Sequence, residues 1–281
     1  MKVSVIIPTY NEEKVIVNCL ESLSKQTYED FEIVIVDDGS KDSSKLKVKN
    51  AKLQFKIKNL KLLSQRHSGP GVARNLGARH AGGEILVFVD SDMTFEKDFI
   101  KELVRPIEQG KVKGTFSKEE YVSNTDNVWS KCWGINEGWE EGKRHPRDYP
   151  DKQKVFRAIL KSEFDRVGGF SLTGYTDDWT LSDKLGYKAV NVGGAKFYHA
   201  NPDTLKEVFV QAKWIGKRQY KLGIFGRLIA VVRASLPISI AIGGVKSLLY
   251  KEPRFFVFKI IYDFGIFCGA LMIIWGGTRA K

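Results

Sequence analysis

Two aspartates one residue apart, Asp90 and Asp92, follow directly on the apolar run Ile85-Leu86-Val87-Phe88-Val89. Carboxylates so spaced just past a strand can both face a hard divalent cation. Mg²⁺ and Mn²⁺ take oxygen ligands and share phosphate oxygens with a bound molecule. A cation held there neutralises a departing diphosphate as a Lewis acid. An isolated D-x-D pattern is equally a solvated turn, and it is the preceding strand that favours a site. A second acidic pair, Asp37-Asp38, closes the run FEIVIV at 31–36 and precedes Gly39-Ser40. A carboxylate at that place can accept from a nucleobase N–H or a ribose hydroxyl, although Asp-Gly is also ordinary turn chemistry. Arg74, on the helix expected between the two pairs, is either within reach of a diphosphate or base or a surface helix charge.

The elements that must position these residues read as alternating strands and helices. VSVII (3–7), ended by Pro8, is a buried strand. Asn11 opens a helical stretch in which Val15, Ile16, Cys19, Leu20 and Leu23 recur at helical spacing. Strands follow at 31–36, from Leu60 to Leu63 and at 85–89, with helices from about Ser43 and over 72–81. Continuous apolar strands separated by helices indicate an α/β fold with a parallel sheet. In such sheets ligands bind beyond the carboxyl ends of the strands, where both acidic pairs fall. Residues 114–155 are irregular and hold Trp129, Trp133 and Trp139 among charges. Residues 156–170 look helix-like and close on Gly168-Gly169. Thr176-Asp177-Asp178-Trp179 opens a further helix, and 188–198 reads as a strand ending at His199.

Composition is that of a chain with a real core, 43% hydrophobic and 28% charged. Cys19, Cys132 and Cys268 are far apart and form no pairing framework, which points to a reducing compartment. The start KVSVIIP has a strand pattern and not the basic-then-apolar layout of a signal peptide.

In order and spacing, VSVIIPTYNEE (3–13), IVIVDDGS (33–40), GVARNLGARHAGGEILVFVDSD (71–92) and TDDW (176–179) resemble the signature blocks of family 2 glycosyltransferases with the GT-A fold. The resemblance runs from Lys2 to about Lys221. It implies a nucleotide-diphosphate sugar donor, Mg²⁺ or Mn²⁺, and inversion at the anomeric carbon. It implies that Pro8, Tyr10 and Glu12 form the first nucleotide loop. Asp38, with Asp37 beside it, contacts the base, and Arg74 with Asn75 lines the nucleotide pocket. Asp90 lies nearest the ribose and metal, and Asp92 ligates the metal directly. Gly168 and Gly169 form the turn near the donor sugar, and His199 approaches the metal or diphosphate. Asp178 is the general base, with Asp177 standing where the family usually has Glu. Independently of the resemblance, a sugar hydroxyl is a poor nucleophile that must lose a proton, and a carboxylate within reach can take it. The same residues could equally cap a helix, and His199 alone could be a core histidine. The three tryptophans suit sugar stacking, a membrane interface or core packing. Gln211, Lys213 and Trp214 match the Q-x-x-R-W block of processive relatives poorly, so no polymerising synthase is read.

From Asn201 to Lys281 thirteen Lys or Arg stand against four Asp or Glu, most of the net charge of +12. Two apolar stretches, 228–245 and 255–277, lie within this basic segment. The catalytic domain is therefore expected over 1–222 and membrane-associating helices over 223–281. The first stretch should lie in the interface and the second should be embedded or spanning, on the cytoplasmic face of the cell membrane. Lys259 and Asp263 are spaced to pair. The expected partners are the sugar donor, a lipid-linked or glycan acceptor and the membrane surface, with no nucleic acid. Alternatives are a soluble enzyme acting on a non-lipid glycan and a non-catalytic membrane scaffold. A nucleotidyltransferase, which usually carries a glycine-rich basic loop after the first strand, is disfavoured by PTYNEE at that place.

Overall fold

The structure, a computed structural model, describes residues 1–172, 177–218 and 220–274. Its strands are β1 (Val3–Thr9), β2 (Phe31–Asp37), β3 (Leu60–Ser64), β4 (Ile85–Phe88), β5 (Met93–Phe95), β6 (Gly114–Phe116), β7 (Glu120–Val122), β8 (Lys152–Gln153), β9 (Ala158–Leu160), β10 (Ala189–Asn191) and β11 (Phe197–His199). Its helices are α1 (Ile16–Ser24), α2 (Ser44–Gln54), α3 (Pro70–His80), α4 (Phe99–Glu108), α5 (Val128–Glu137), α6 (Lys161–Arg166), α7 (Asp177–Leu185), α8 (Leu205–Gly216), α9 (Gly223–Arg233), α10 (Leu236–Leu249) and α11 (Arg254–Ile274). They form two compact units. The first comprises residues 1–121, 148–172 and 177–199, and the second comprises mainly 122–147 and the chain from Ala200 onward. The boundary expected near residue 222 follows composition. Packing instead groups α5 and α8 with the C-terminal helices.

In the first unit an eight-stranded sheet runs β3-β2-β1-β4-β9-β6-β10-β8, and a small sheet runs β5-β11-β7. β1, β2, β3 and β4 are mutually parallel, β9 is antiparallel to β4 and β6, and β8 is an antiparallel edge. The strands read as unbroken apolar runs because both faces are covered. Val3, Val5 and Ile7 face Leu20 of α1 and Leu103 of α4, while Ile6 and Phe88 face Ala78 of α3 and Leu181 of α7. The chain steps from β1 outward to β3 and returns to β4 on the other side of β1. That reversal is the switch point at which α/β sheets open a crevice.

Two expectations are corrected here. Residues 156–170 are not one helix: Ala158–Leu160 form β9, and only Lys161–Arg166 are helical. Phe156, Ala158 and Ile159 are buried because the segment inserts between β4 and β6, a non-local pairing that overrides local propensity. Residues 188–198 are two short strands interrupted at Gly193-Gly194, with Gly194 at φ +87°. Thr176 and residues 275–277, included in the expected helices, lie outside the described residues.

In the second unit Cys132 and Trp133 of α5, Val208 and Ile215 of α8, and Phe255 and Phe258 of α11 share one core, with Trp129 and Trp139 partly buried against it. The three tryptophans are therefore packing residues of this unit. Lys259 does pair with Asp263, at 2.8 Å, and Asp263 also accepts from Ser239 Oγ of α10 at 2.8 Å. No residue of α9 is buried.

Candidate active site

The loops after β1 and β2 are laced together by short polar contacts. Asn11, at φ +56°, donates its N–H to Ser40 Oγ at 2.9 Å and accepts from Lys41 N–H at 2.8 Å. Glu12 N–H donates to Ser44 Oγ at 2.8 Å. Pro8 is buried at the end of β1, beyond the last residue that β4 pairs, so its missing N–H leaves no rung of that ladder broken. Asp37 accepts from Gly39 N–H at 3.1 Å and pairs with Lys45 at 3.1 Å. Asp38 accepts from the N–H groups of Ser68 and Gly69 at 2.9 and 2.8 Å, and from Gln65 Nε2 at 2.6 Å. Both aspartates, expected at the base, thus engage the loops that follow β2 and β3. His67 Nδ1 lies 2.8 Å from Asp38 Oδ2, and its ring stacks on Tyr10 at 4.0 Å between centroids. The exposed Tyr10–His67 pair offers a flat aromatic surface at the crevice.

Beyond β4, Arg74 of α3 donates to Asp90 Oδ1 at 2.6 Å, and Arg157 stands 3.6 Å from Asp90 Oδ2. Despite burial, these cations hold the Asp90 carboxyl well below the ordinary range. Asp92 Oδ2 is 2.8 Å from His199 Nε2, and His199 Nδ1 is 3.2 Å from Glu120 Oε1. Asp92 Oδ1 is buried and has no hydrogen-bond partner. Glu12 is pushed up to about 7, first by burial and then by the charges of Asp92 and Asp90. The site thus carries surplus negative charge and an orphaned carboxylate oxygen next to an imidazole. That donor set fits a divalent cation. The Glu120–His199 contact is the kind of outer interaction that orients a metal-bound imidazole. Among the described residues no three His, Cys, Asp or Glu side chains converge as a closed cage. Of the expected trio, Asp92 and His199 come together and Asp90 is drawn to Arg74. An open site is what a cation sharing substrate phosphates needs.

Asp177 and Asp178 open α7. Asp177 is buried with its carboxyl against Gly71 at the start of α3, where a Cβ would collide with it. A carboxylate is favoured at that helix N-terminus. Asp178 is only partly buried. Burial raises its pKa, Arg74 and Arg157 oppose the rise, and Asp90 adds to it. Asn75 accepts from Phe170 N–H and donates to Phe170 O, both at 2.9 Å, pinning the turn in which Gly168 and Gly169 stand at φ +70° and +69°. Its side-chain amide is thereby engaged with the main chain of that turn. The sequence reading passed over His67, Glu120 and Arg157. His67 follows the carboxyl end of β3, so the strand-end rule could have singled it out. Arg157 was hidden in a stretch read as helix, and Glu120 in one read as irregular.

Residues 4–176, more than half of the chain, match the family described as Glycosyl transferase family 2. A poly(ribitol-phosphate) beta-N-acetylglucosaminyltransferase, TarS, of Staphylococcus aureus (strain Mu50 / ATCC 700699) is 40% identical over 111 residues, which are 39% of this chain and 19% of that protein. The chain therefore spans about a fifth of that relative's length. The mannosyltransferase PcManGT from Pyrobaculum calidifontis, solved with GDP-Man and Mn²⁺, superposes with a TM-score of 0.64 at 19% identity, over 98% of this chain and 87% of that one. Residues 1–349 of S. aureus TarS, solved with UDP-GlcNAc, superpose with a TM-score of 0.57 at 18% identity, over 99% of this chain and 93% of that one. At such identities the likeness shows the fold, which is GT-A.

Proposed function

Because the chain belongs to glycosyl transferase family 2, we propose that it transfers a sugar from a nucleotide-diphosphate donor to an acceptor hydroxyl, with inversion and with a divalent cation. The observation that carries this reading is the orphaned Asp92 Oδ1 beside His199 in an acid-rich crevice that also holds Asp178. Asp92 and His199 would hold the cation, which would neutralise the departing diphosphate. Tyr10 and His67 would present a stacking surface to the base, while Asp38 fixes the loop that carries His67. Asp178 would take the proton of the attacking hydroxyl. A carboxylate whose pKa is raised toward neutrality is better suited to that task than an ordinary one. Solved neighbours bound to GDP-Man and Mn²⁺ and to UDP-GlcNAc support the donor class and divalent-metal use.

The acceptor is proposed to be presented at the cytoplasmic face of a membrane, lipid-linked or as a glycan. In support, α11 is long and apolar enough to cross a bilayer, α9 and α10 pass the same test only as a pair bent by 60°, and exposed Phe225 and Ile229 of α9 stand beside Arg227. A second reading, a non-lipid polymer acceptor, draws support from the poly(ribitol-phosphate) acceptor named for the TarS relative.

The test is calorimetry with UDP and GDP, with and without Mn²⁺. The wild type is expected to bind one of them more tightly with metal, and Asp92→Ala to lose that stimulation. Unchanged metal-stimulated affinity in the variant would remove Asp92 from the metal site.

A further inference from the structure

We propose that Arg157 receives the terminal phosphate of the departing nucleoside diphosphate. The proposal rests on the glycosyl-transfer reading above and adds a residue that neither the motif blocks nor the comparisons assign.

Arg157 is held by the sheet itself. Its N–H donates to Thr115 O and its C=O accepts from Phe88 N–H, both at 2.9 Å, so the main chain is fixed on both sides beside the end of β4. Its guanidinium lies over the Phe197 ring at 5.3 Å, and Phe197 is on β11 two residues before His199. The side chain is only 16% exposed, yet its ionic contact is Asp90 Oδ2 at 3.6 Å, too far for a hydrogen bond. Asp90 is already satisfied by Arg74 at 2.6 Å. Among the described residues no acceptor takes a hydrogen bond from the Arg157 guanidinium.

A covered guanidinium with its donors unused is costly unless an anion uses them. Its planar fork matches the two oxygens of a phosphate. Two contacts place it on the leaving-group side: Asp90 of the D-x-D run, and the strand carrying His199. Its charge also acts on Asp178, but among the described residues no ion pair joins the two, so the guanidinium is not held on the base. In the transfer step the bond from the anomeric carbon to the phosphate oxygen breaks and its electron pair stays on that oxygen. The acceptor oxygen bonds the carbon and its proton goes to Asp178. Charge therefore grows on the terminal phosphate, where a fixed donor fork stabilises the transition state.

The experiment compares UDP and GDP with UMP and GMP by calorimetry with Mn²⁺, for wild type, Arg157→Gln and Arg157→Lys, each checked by circular dichroism and melting. The wild type should prefer the diphosphate. Arg157→Gln should weaken it by about tenfold to a hundredfold while leaving the monophosphate within about twofold. Arg157→Lys, which keeps the charge without the fork, should fall between, and it carries the same readout if the glutamine variant does not fold. Equal losses for diphosphate and monophosphate, or no loss for either, would overturn the assignment. A wild type that binds neither diphosphate overturns the glycosyl-transfer reading itself, and this assignment with it.

Discussion

Asp178 lies under opposing influences: burial raises its pKa, and the charges of Arg74 and Arg157 pull it down. The net rise sets the sign of its pH dependence. The base works only when ionised, so transfer is lost as pH falls through its pKa, and that acid limb lies above the ordinary aspartate value of 3.8. Removing the Arg157 charge takes away one of the lowering influences, so Arg157→Gln should move the limb to higher pH in a rate–pH profile. Asp178→Asn keeps the shape and loses the proton acceptor. Its transfer rate should drop by about two to four orders of magnitude with nucleotide affinity unchanged, read by turnover and calorimetry side by side. Normal turnover in that variant would mean that the base is elsewhere. Asp177, buried against the start of α3, is the control: its change to Asn should lower the melting temperature more than the rate.

Between elements, the contact that decides the second unit is α8 on α11. Gly265 and Gly269, four apart on α11, meet the α8 backbone so closely that a Cβ on either would strike the carbonyl of Phe209 or Lys213, and one on Gly216 would strike Ile266 O. Small residues at this spacing let two helices approach backbone to backbone. Gly269→Val has no flexible neighbour to push aside. It is expected to cost at least about 1–3 kcal/mol and to lower the unfolding midpoint of the full chain. A variant as stable as the wild type would show that the two helices do not pack this tightly. The same element scale explains why Trp133, legible as an aromatic in an irregular stretch, is a core residue. Its ring meets Phe258 and Tyr262 of α11 edge-on, more than a hundred residues later in the chain.

At the scale of the whole molecule, the basic surplus and the apolar face are found together on α9. Phe225 is 72% exposed and Ile229 50%, with no residue of that helix buried. Deleting the C-terminal helices would also strip the cover from Trp133 and Val208, so truncation confounds anchoring with folding. Phe225→Glu with Ile229→Glu avoids that. If α9 lies in a membrane interface, the double variant should shift from the membrane to the soluble fraction, or lose binding to anionic vesicles, while its melting temperature stays within a few degrees. Retention on the membrane at wild-type level would leave α11 as the anchor and take α9 out of the interface.

Local pattern was enough to determine the strands β1 to β4, the helices between them and the acids at their carboxyl ends. A buried parallel strand needs an unbroken apolar run, and a site at a strand end needs only the residue that follows it. Asp38, Asp90 and Asp92 were therefore legible as candidates, while Tyr10 and Asp178 were singled out through the resemblance of their blocks. Which partner each side chain takes was not legible. Asp38 spends its oxygens on the loop before α3, Asn75 its amide on Phe170 at the Gly168–Gly169 turn and Asp90 its carboxylate on Arg74, because those groups are brought in by chain 16 to 95 residues away. Arg157 was hidden for the same reason. The segment it opens becomes a strand only through pairing with β4 and β6, and no periodicity within 156–170 records a pairing made across the sheet.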